Sequence, residues 1–179
     1  MLPNPNILIK EGKQWVQSQR DLYRPKSRPL PDDMKKSFSK YFPVKILEET
    51  CFKTVPIIHN PPFYKKLGPL YASELIDFSQ MDGITFIDTV LLRNIYPTKN
   101  RDVLAFCFHE LVHAVQYKLL GLDRFVHQYV TGYYENEEDY LKIPLEADAS
   151  ALEEKFERFV CRGETFNVAD DVRVRLRIV

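Results

Sequence analysis

Apolar residues change their spacing several times along this 179-residue chain, and each change marks a different kind of element. From Val103 to Leu120 they are almost continuous. Val103, Leu104, Ala105, Phe106, Phe108, Leu111, Val112, Ala114, Val115, Leu119 and Leu120 leave little polar face, the pattern of a buried helix. Thr98 or Asn100 can cap it and Gly121 closes it. Asp123 can cap a following helix that carries Phe125, Val126, Tyr129, Val130 and Tyr133 on one side.

The remaining segments are shorter. Ile84 to Leu92, opened by Gly83, is rich in β-branched and aromatic residues and is the strongest strand candidate, either a core strand or a sheet edge open to an extended peptide. Val44–Glu49 and Lys53–His59 look like strand pieces ahead of the turn signal Asn60-Pro61-Pro62. Residues 11–22 suit a helix with a thin apolar face of Trp15, Val16 and Leu22, and Arg24–Pro31 an extended connector. Asp32 or Asp33 can cap a helix through Tyr41 that turns Met34, Phe38 and Tyr41 inward. Leu70–Phe78 is a short helix or loop, and Tyr134–Tyr140 reads as an exposed loop. Val172–Val179 alternates apolar with basic residues, as a half-buried strand with a cationic face would.

Chemistry concentrates in the buried helix. His109 and His113 are one turn apart, so both imidazoles can address one atom, a spacing that suits zinc. Glu110, displaced by one position, can reach a water on that metal as a general base. Burying two imidazoles and a carboxylate unpartnered would cost several kcal/mol, and a metal partners all three.

A catalytic zinc takes three protein ligands and keeps one position open. A helix starting near Pro144 places Glu146 in its first turn, on a core-facing stripe with Ala149, Leu152 or Glu153, and Phe156. Glu146 is therefore the candidate third ligand. Asp148 is the rival ligand or an outer carboxylate, and Ser150 can hydrogen-bond the far nitrogen of a ligand histidine. His59 reads as a surface or capping histidine, while His127 can approach the site from the next helix. Tyr133, Tyr134, Tyr140 and His127 are the candidates for stabilising an oxyanion.

Lysine plus arginine equal aspartate plus glutamate at 25 each, which argues against nucleic acid or an acidic membrane as partner. Cys51, Cys107 and Cys161 form no Cys-x-x-Cys pair and fit reduced thiols. With no signal-peptide pattern in the first residues and no run of transmembrane length, a cytoplasmic location is expected. The length suggests a single domain over residues 1–179, with 1–31 as an N-terminal extension.

His109-Glu110-Leu-Val-His113, followed by Glu146 in Ile-Pro-Leu-Glu-Ala-Asp-Ala, resembles the gluzincin branch of the zincin metallopeptidases, over roughly residues 84–160. The resemblance implies an α+β zincin-like fold: a small twisted, mainly antiparallel sheet packed on a buried metal-binding helix and a second helix. It implies zinc on His109, His113 and Glu146, with Glu110 as base and an edge strand before the active-site helix. The implied activity is peptide-bond hydrolysis, with a peptide or protein substrate. Ser150 departs from the thermolysin-like pattern, which has aspartate four residues after the glutamate ligand. The alternative is a binding or assembly module whose metal site is structural or degenerate.

Overall fold

A computed structural model describes residues 3–68, 71, 74–94, 100–136 and 139–178, the side chains of 100–102 excepted. In chain order its elements are α1 (Pro5–Tyr23), β1 (Arg28–Pro29), α2 (Asp32–Phe38), α3 (Val44–Glu49), β2 (Cys51–Val55), α4 (Tyr64–Leu67), β3 (Gly83–Phe86), β4 (Thr89–Arg93), α5 (Asn100–Glu135), α6 (Pro144–Arg162) and α7 (Val168–Arg175). The fold is α+β. The sheet order is β1-β2-β4-β3, with β1/β2 and β3/β4 antiparallel and β2/β4 parallel, so it is mixed and β3 is an edge.

The nearly all-apolar run forms the first half of α5 and is buried on every side: Cys107, Phe108 and Glu110 to Tyr117 all lie in the interior. Its break falls at Gly121, where φ is 72° and ψ 166°, backbone angles that only glycine adopts easily. The chain then continues as a second helical segment that buries Phe125, Val126 and Tyr133. The proposed caps Thr98 and Asn100 lie outside what is described, at residue 98 and at the side chain of residue 100.

Two apolar clusters meet at α5. One joins α2, α3, α6 and α7, with Phe108 fully buried and stacked on Phe156 at 4.3 Å between ring centroids. The other joins α1, the sheet and the second half of α5 around Trp15, Phe78, Phe86 and Phe125. Helix α1 therefore contributes Leu8, Trp15 and Val16 to the interior.

Four segments differ from the expected elements. Val44–Glu49 is a helix: Ile46 and Leu47 are both buried while Val44 stands 63% exposed, which no alternating strand can do. The carboxy-terminal segment is helical as well, because the Asn167 side chain caps Ala169 and Asp170 and buries Val168, Ala169 and Val172 on one face. Ile84–Leu92 is a hairpin that turns at Ile87-Asp88. Ile87 sits at φ 63°, a strained value for a β-branched residue. Asp88 is pinned from outside the hairpin: its carboxylate accepts from Arg20 Nε at 3.0 Å and Nη2 at 2.9 Å, and its carbonyl from Arg24 Nη1 at 2.9 Å. Tyr134 and Tyr140, expected in an exposed loop, are half-buried against the second cluster.

Candidate metal centre

Helix α5 sets His109 and His113 one turn apart, and the first turn of α6 brings Glu146 to them. His113 Nε2 lies 3.1 Å from His109 Nε2, and each of the two nitrogens lies 3.3 Å from Glu146 Oε2. Glu146 and His113 are buried and His109 nearly so, and together the three could hold a metal ion. The far side of each group is tied. His109 Nδ1 is 3.1 Å from Glu153 Oε2, and His113 Nδ1 is 2.8 Å from Gln116 Oε1. Gln116 is itself oriented, since its Nε2 donates to the Leu145 carbonyl at 3.0 Å. Tyr129 donates to Glu146 Oε1 at 2.7 Å, which leaves Oε2 for the centre.

These partners decide the tautomers. A carboxylate and an amide oxygen both accept, so each Nδ1 carries a hydrogen and each Nε2 offers a lone pair inward. Two imidazole lone pairs and a carboxylate oxygen then face one another at hydrogen-bond distance. Such an arrangement is repulsive unless positive charge sits among them, as protons or as a cation. Burial disfavours a charged His109, but its bonds to Glu146 and then Glu153 outweigh that and raise its pKa to about 10. Burial likewise works against an ionised Glu146, and the two histidines overcome it and hold its pKa far below the usual carboxylate range. Among the described residues, no lysine or arginine pairs with Glu110, Glu146 or Glu153.

Glu110 is buried on the same helix, and β3 fixes it. Thr85 Oγ1 donates to Glu110 Oε2 at 2.6 Å, leaving Oε1 available. The approach of strand to helix requires Gly83: a Cβ there would stand 2.5 Å from Phe106 Cζ and 2.9 Å from Glu110 Oε1. Burial raises the pKa of Glu110 against the opposing pull of both histidines and Thr85.

Glu110, His113 and Glu146 form part of the wall of a cavity of about 110 Å³. The rest of that wall is mainly apolar and aromatic, with Thr85 and several tyrosines, and is drawn from α1, residues 61–64 and 75–81, β3 and α5.

Of the other candidate residues, Asp148 turns away to accept from Arg175 Nη1 at 3.0 Å, and His59 and His127 are exposed. The outer partner of His109 is Glu153 and not Ser150. Tyr133 donates to the Glu74 carbonyl and Tyr134 to the Pro3 carbonyl, while Tyr140 hydrogen-bonds Glu146 and Tyr129. The sequence places Glu153 and Tyr129 on inward helix faces but assigns no site role to them, nor to Gln116 or Thr85. Glu153 had a readable signal, seven residues and so two turns after Glu146; Thr85 had none.

Comparisons with protein-family models, with curated proteins and with solved structures found no match to this chain. Among the described residues, no helix is long and apolar enough to cross a membrane.

Proposed function

We propose that this protein is a zinc-dependent metallopeptidase with a zincin-like active site, His109, His113 and Glu146 holding the ion and Glu110 acting as base. The observation that carries the reading is the convergence of two Nε2 atoms and one carboxylate oxygen, 3.1–3.3 Å apart, beside a buried glutamate that is not one of the three. Ligands at zinc's 2.0–2.1 Å bond lengths span tetrahedral edges of about 3.3–3.4 Å, so the donors present fit the ion. The donor chemistry also fits, two neutral imidazoles and one carboxylate, each oriented by an outer partner.

Zinc bound there would acidify a coordinated water and polarise a carbonyl group. The chain's own groups then divide the work. Glu110 Oε1 takes the proton of the attacking water and delivers it to the departing amine, while Thr85 keeps the other oxygen in place. Burial, by raising the affinity of Glu110 for a proton, suits it to hold that proton between the two transfers. Glu153 and Gln116 hold the imidazoles, and Tyr129 holds the carboxylate ligand.

The edge strand supports a peptide substrate. In the β3/β4 register Ile84 and Phe86 exchange hydrogen bonds with β4, so the N–H and C=O groups of Gly83 and Thr85 point to the open edge. That side of β3 pairs with no other strand among the described residues, and it is where an extended peptide would pair. The test is turnover of a peptide library by zinc-loaded protein beside Glu110→Gln. The variant should keep its zinc and lose on the order of 10²–10⁴ in kcat. Undiminished cleavage by Glu110→Gln would refute the assignment.

A further inference from the structure

Helix α1 walls in the metal centre, a position that the chemistry of hydrolysis does not require. Its residues Leu8, Gly12, Trp15 and Val16 line the cavity onto which Glu110, His113 and Glu146 face. There it bridges the two elements that frame the site. Trp15 packs edge-on against Phe86 of β3 at 5.1 Å between centroids, and Gly12 approaches α5 so closely that an added Cβ would stand 3.3 Å from Val126 Cγ1. With the helix in place, Glu110, His113 and Glu146 are only 4–5% exposed. A dry cavity of about 150 Å³ takes one benzene. One of about 110 Å³ therefore does not admit several residues of an extended chain, at about 3.3 Å each.

The two halves of α1 are held unequally. Trp15 and Val16 are buried, and Arg20 grips the Asp88 carboxylate through Nε at 3.0 Å and Nη2 at 2.9 Å. Residues 5–13 have far less. Leu8 is their one buried large apolar side chain, while Ile7 stands 47% exposed. Their ion pair, Lys13 with Asp123 at 2.9 Å, lies at the surface, where such pairs hold weakly. Ahead of them, Tyr134 donates to the Pro3 carbonyl. A segment with few buried apolar contacts opens locally while the rest of the fold stays intact.

We propose that residues 5–13 are a built-in cover over the metal centre. Packed on α5 they hold the site latent, and lifting them, with Trp15 and Arg20 still anchored, opens it to substrate. The cover rests on the packing of α1 alone, and the word substrate on the metallopeptidase reading.

A reversible staple tests it. Gly12→Cys with Val126→Cys sets two thiols within disulfide reach across α1 and α5, in full-length, zinc-loaded protein that also carries Cys161→Ser to remove the exposed native thiol. Two rates are read in the oxidised and reduced forms of this one variant: zinc transfer to excess chromophoric chelator, and cleavage of the peptide library. Both should fall about tenfold or more on oxidation and return on reduction. Leu8→Ala, which loosens the cover without a staple, should speed zinc transfer about tenfold or more. Slower zinc transfer in the stapled form, with no peptide cut by any form including Leu8→Ala, would uphold the cover and refute the peptidase reading. Equal zinc transfer in the oxidised and reduced forms, cleavage undiminished by the staple, or unchanged zinc transfer in Leu8→Ala would overturn the cover.

Discussion

Removing the Glu153 carboxylate is the sharpest test of how the histidines are held. Glu153 Oε2 stands 3.1 Å from His109 Nδ1 and fixes which nitrogen faces inward. Loss of such an outer partner weakens metal binding about 10- to 100-fold, or about 1.4–2.8 kcal/mol. An ion that binds only the folded chain adds stability in proportion to ln(1 + [L]/Kd), so at a fixed zinc excess the stabilisation shrinks by the same amount. In a protein of 179 residues each kcal/mol moves the melting temperature by about 2–4 °C. Glu153→Ala should therefore reduce the zinc-induced rise in Tm by about 3–11 °C. Competition with a chromophoric chelator gives the affinity, and melts with and without zinc give the stability. Glu153→Gln keeps an acceptor oxygen and should recover part of the loss, while exposed Glu154→Ala should change neither. Zinc affinity within twofold of the parent in Glu153→Ala would refute the orienting role.

Three further outcomes concern the frame around the site. Gly121→Ala should destabilise by about 1–3 kcal/mol in urea titrations through backbone strain, because nothing beyond its chain neighbours and its own helix backbone lies within 4 Å of the added methyl. Phe108→Ala should cost about 3–5 kcal/mol, since its ring is fully buried and stacked on Phe156. Asp88→Asn should lower stability at neutral pH by about 1–3 kcal/mol by weakening the bonds that hold the hairpin turn. Burial raises the pKa of Asp88, but the Arg20 bonds and the charges of Arg24 and Arg20 outweigh it, so the folded value lies below the unfolded one. That stabilisation is present above about pH 4 and fades as pH falls through the lower folded value. The gap between parent and variant in urea titrations should thus narrow from pH 6 to pH 3; an unchanged gap would contradict the linkage.

Legibility in the sequence followed the range of the interactions. The buried helix, its end at Gly121, the helix from Pro144 and the inward face of Glu146 are set by local spacing and by residues with strong backbone preferences. The hairpin was hidden because its turn holds Ile87 at φ 63° with no glycine or asparagine to announce it. Arg20 and Arg24, more than 60 residues away in sequence, fix Asp88 beside it. Helix α3 is hidden for a similar reason: Val-Lys-Ile-Leu-Glu-Glu has no decisive period, and packing of Ile46 and Leu47 decides it. The alternation from Val172 onward resembles a strand, whereas the helix starts earlier, at the Asn167 cap. At the site, the metal-facing residues lie within one motif and one helix turn. Thr85 and Tyr129 arrive from other elements and meet it only in the folded chain.

Metal content tests the central claim most directly. Untagged protein, purified without added metal and then offered zinc at neutral pH, should carry close to one zinc per chain by elemental analysis. His113→Ala and Glu146→Ala, handled identically, should lose it or bind it far more weakly. No zinc in the parent, or undiminished zinc in both variants, would contradict a three-ligand centre and return the cluster to a proton-bridged set of buried side chains.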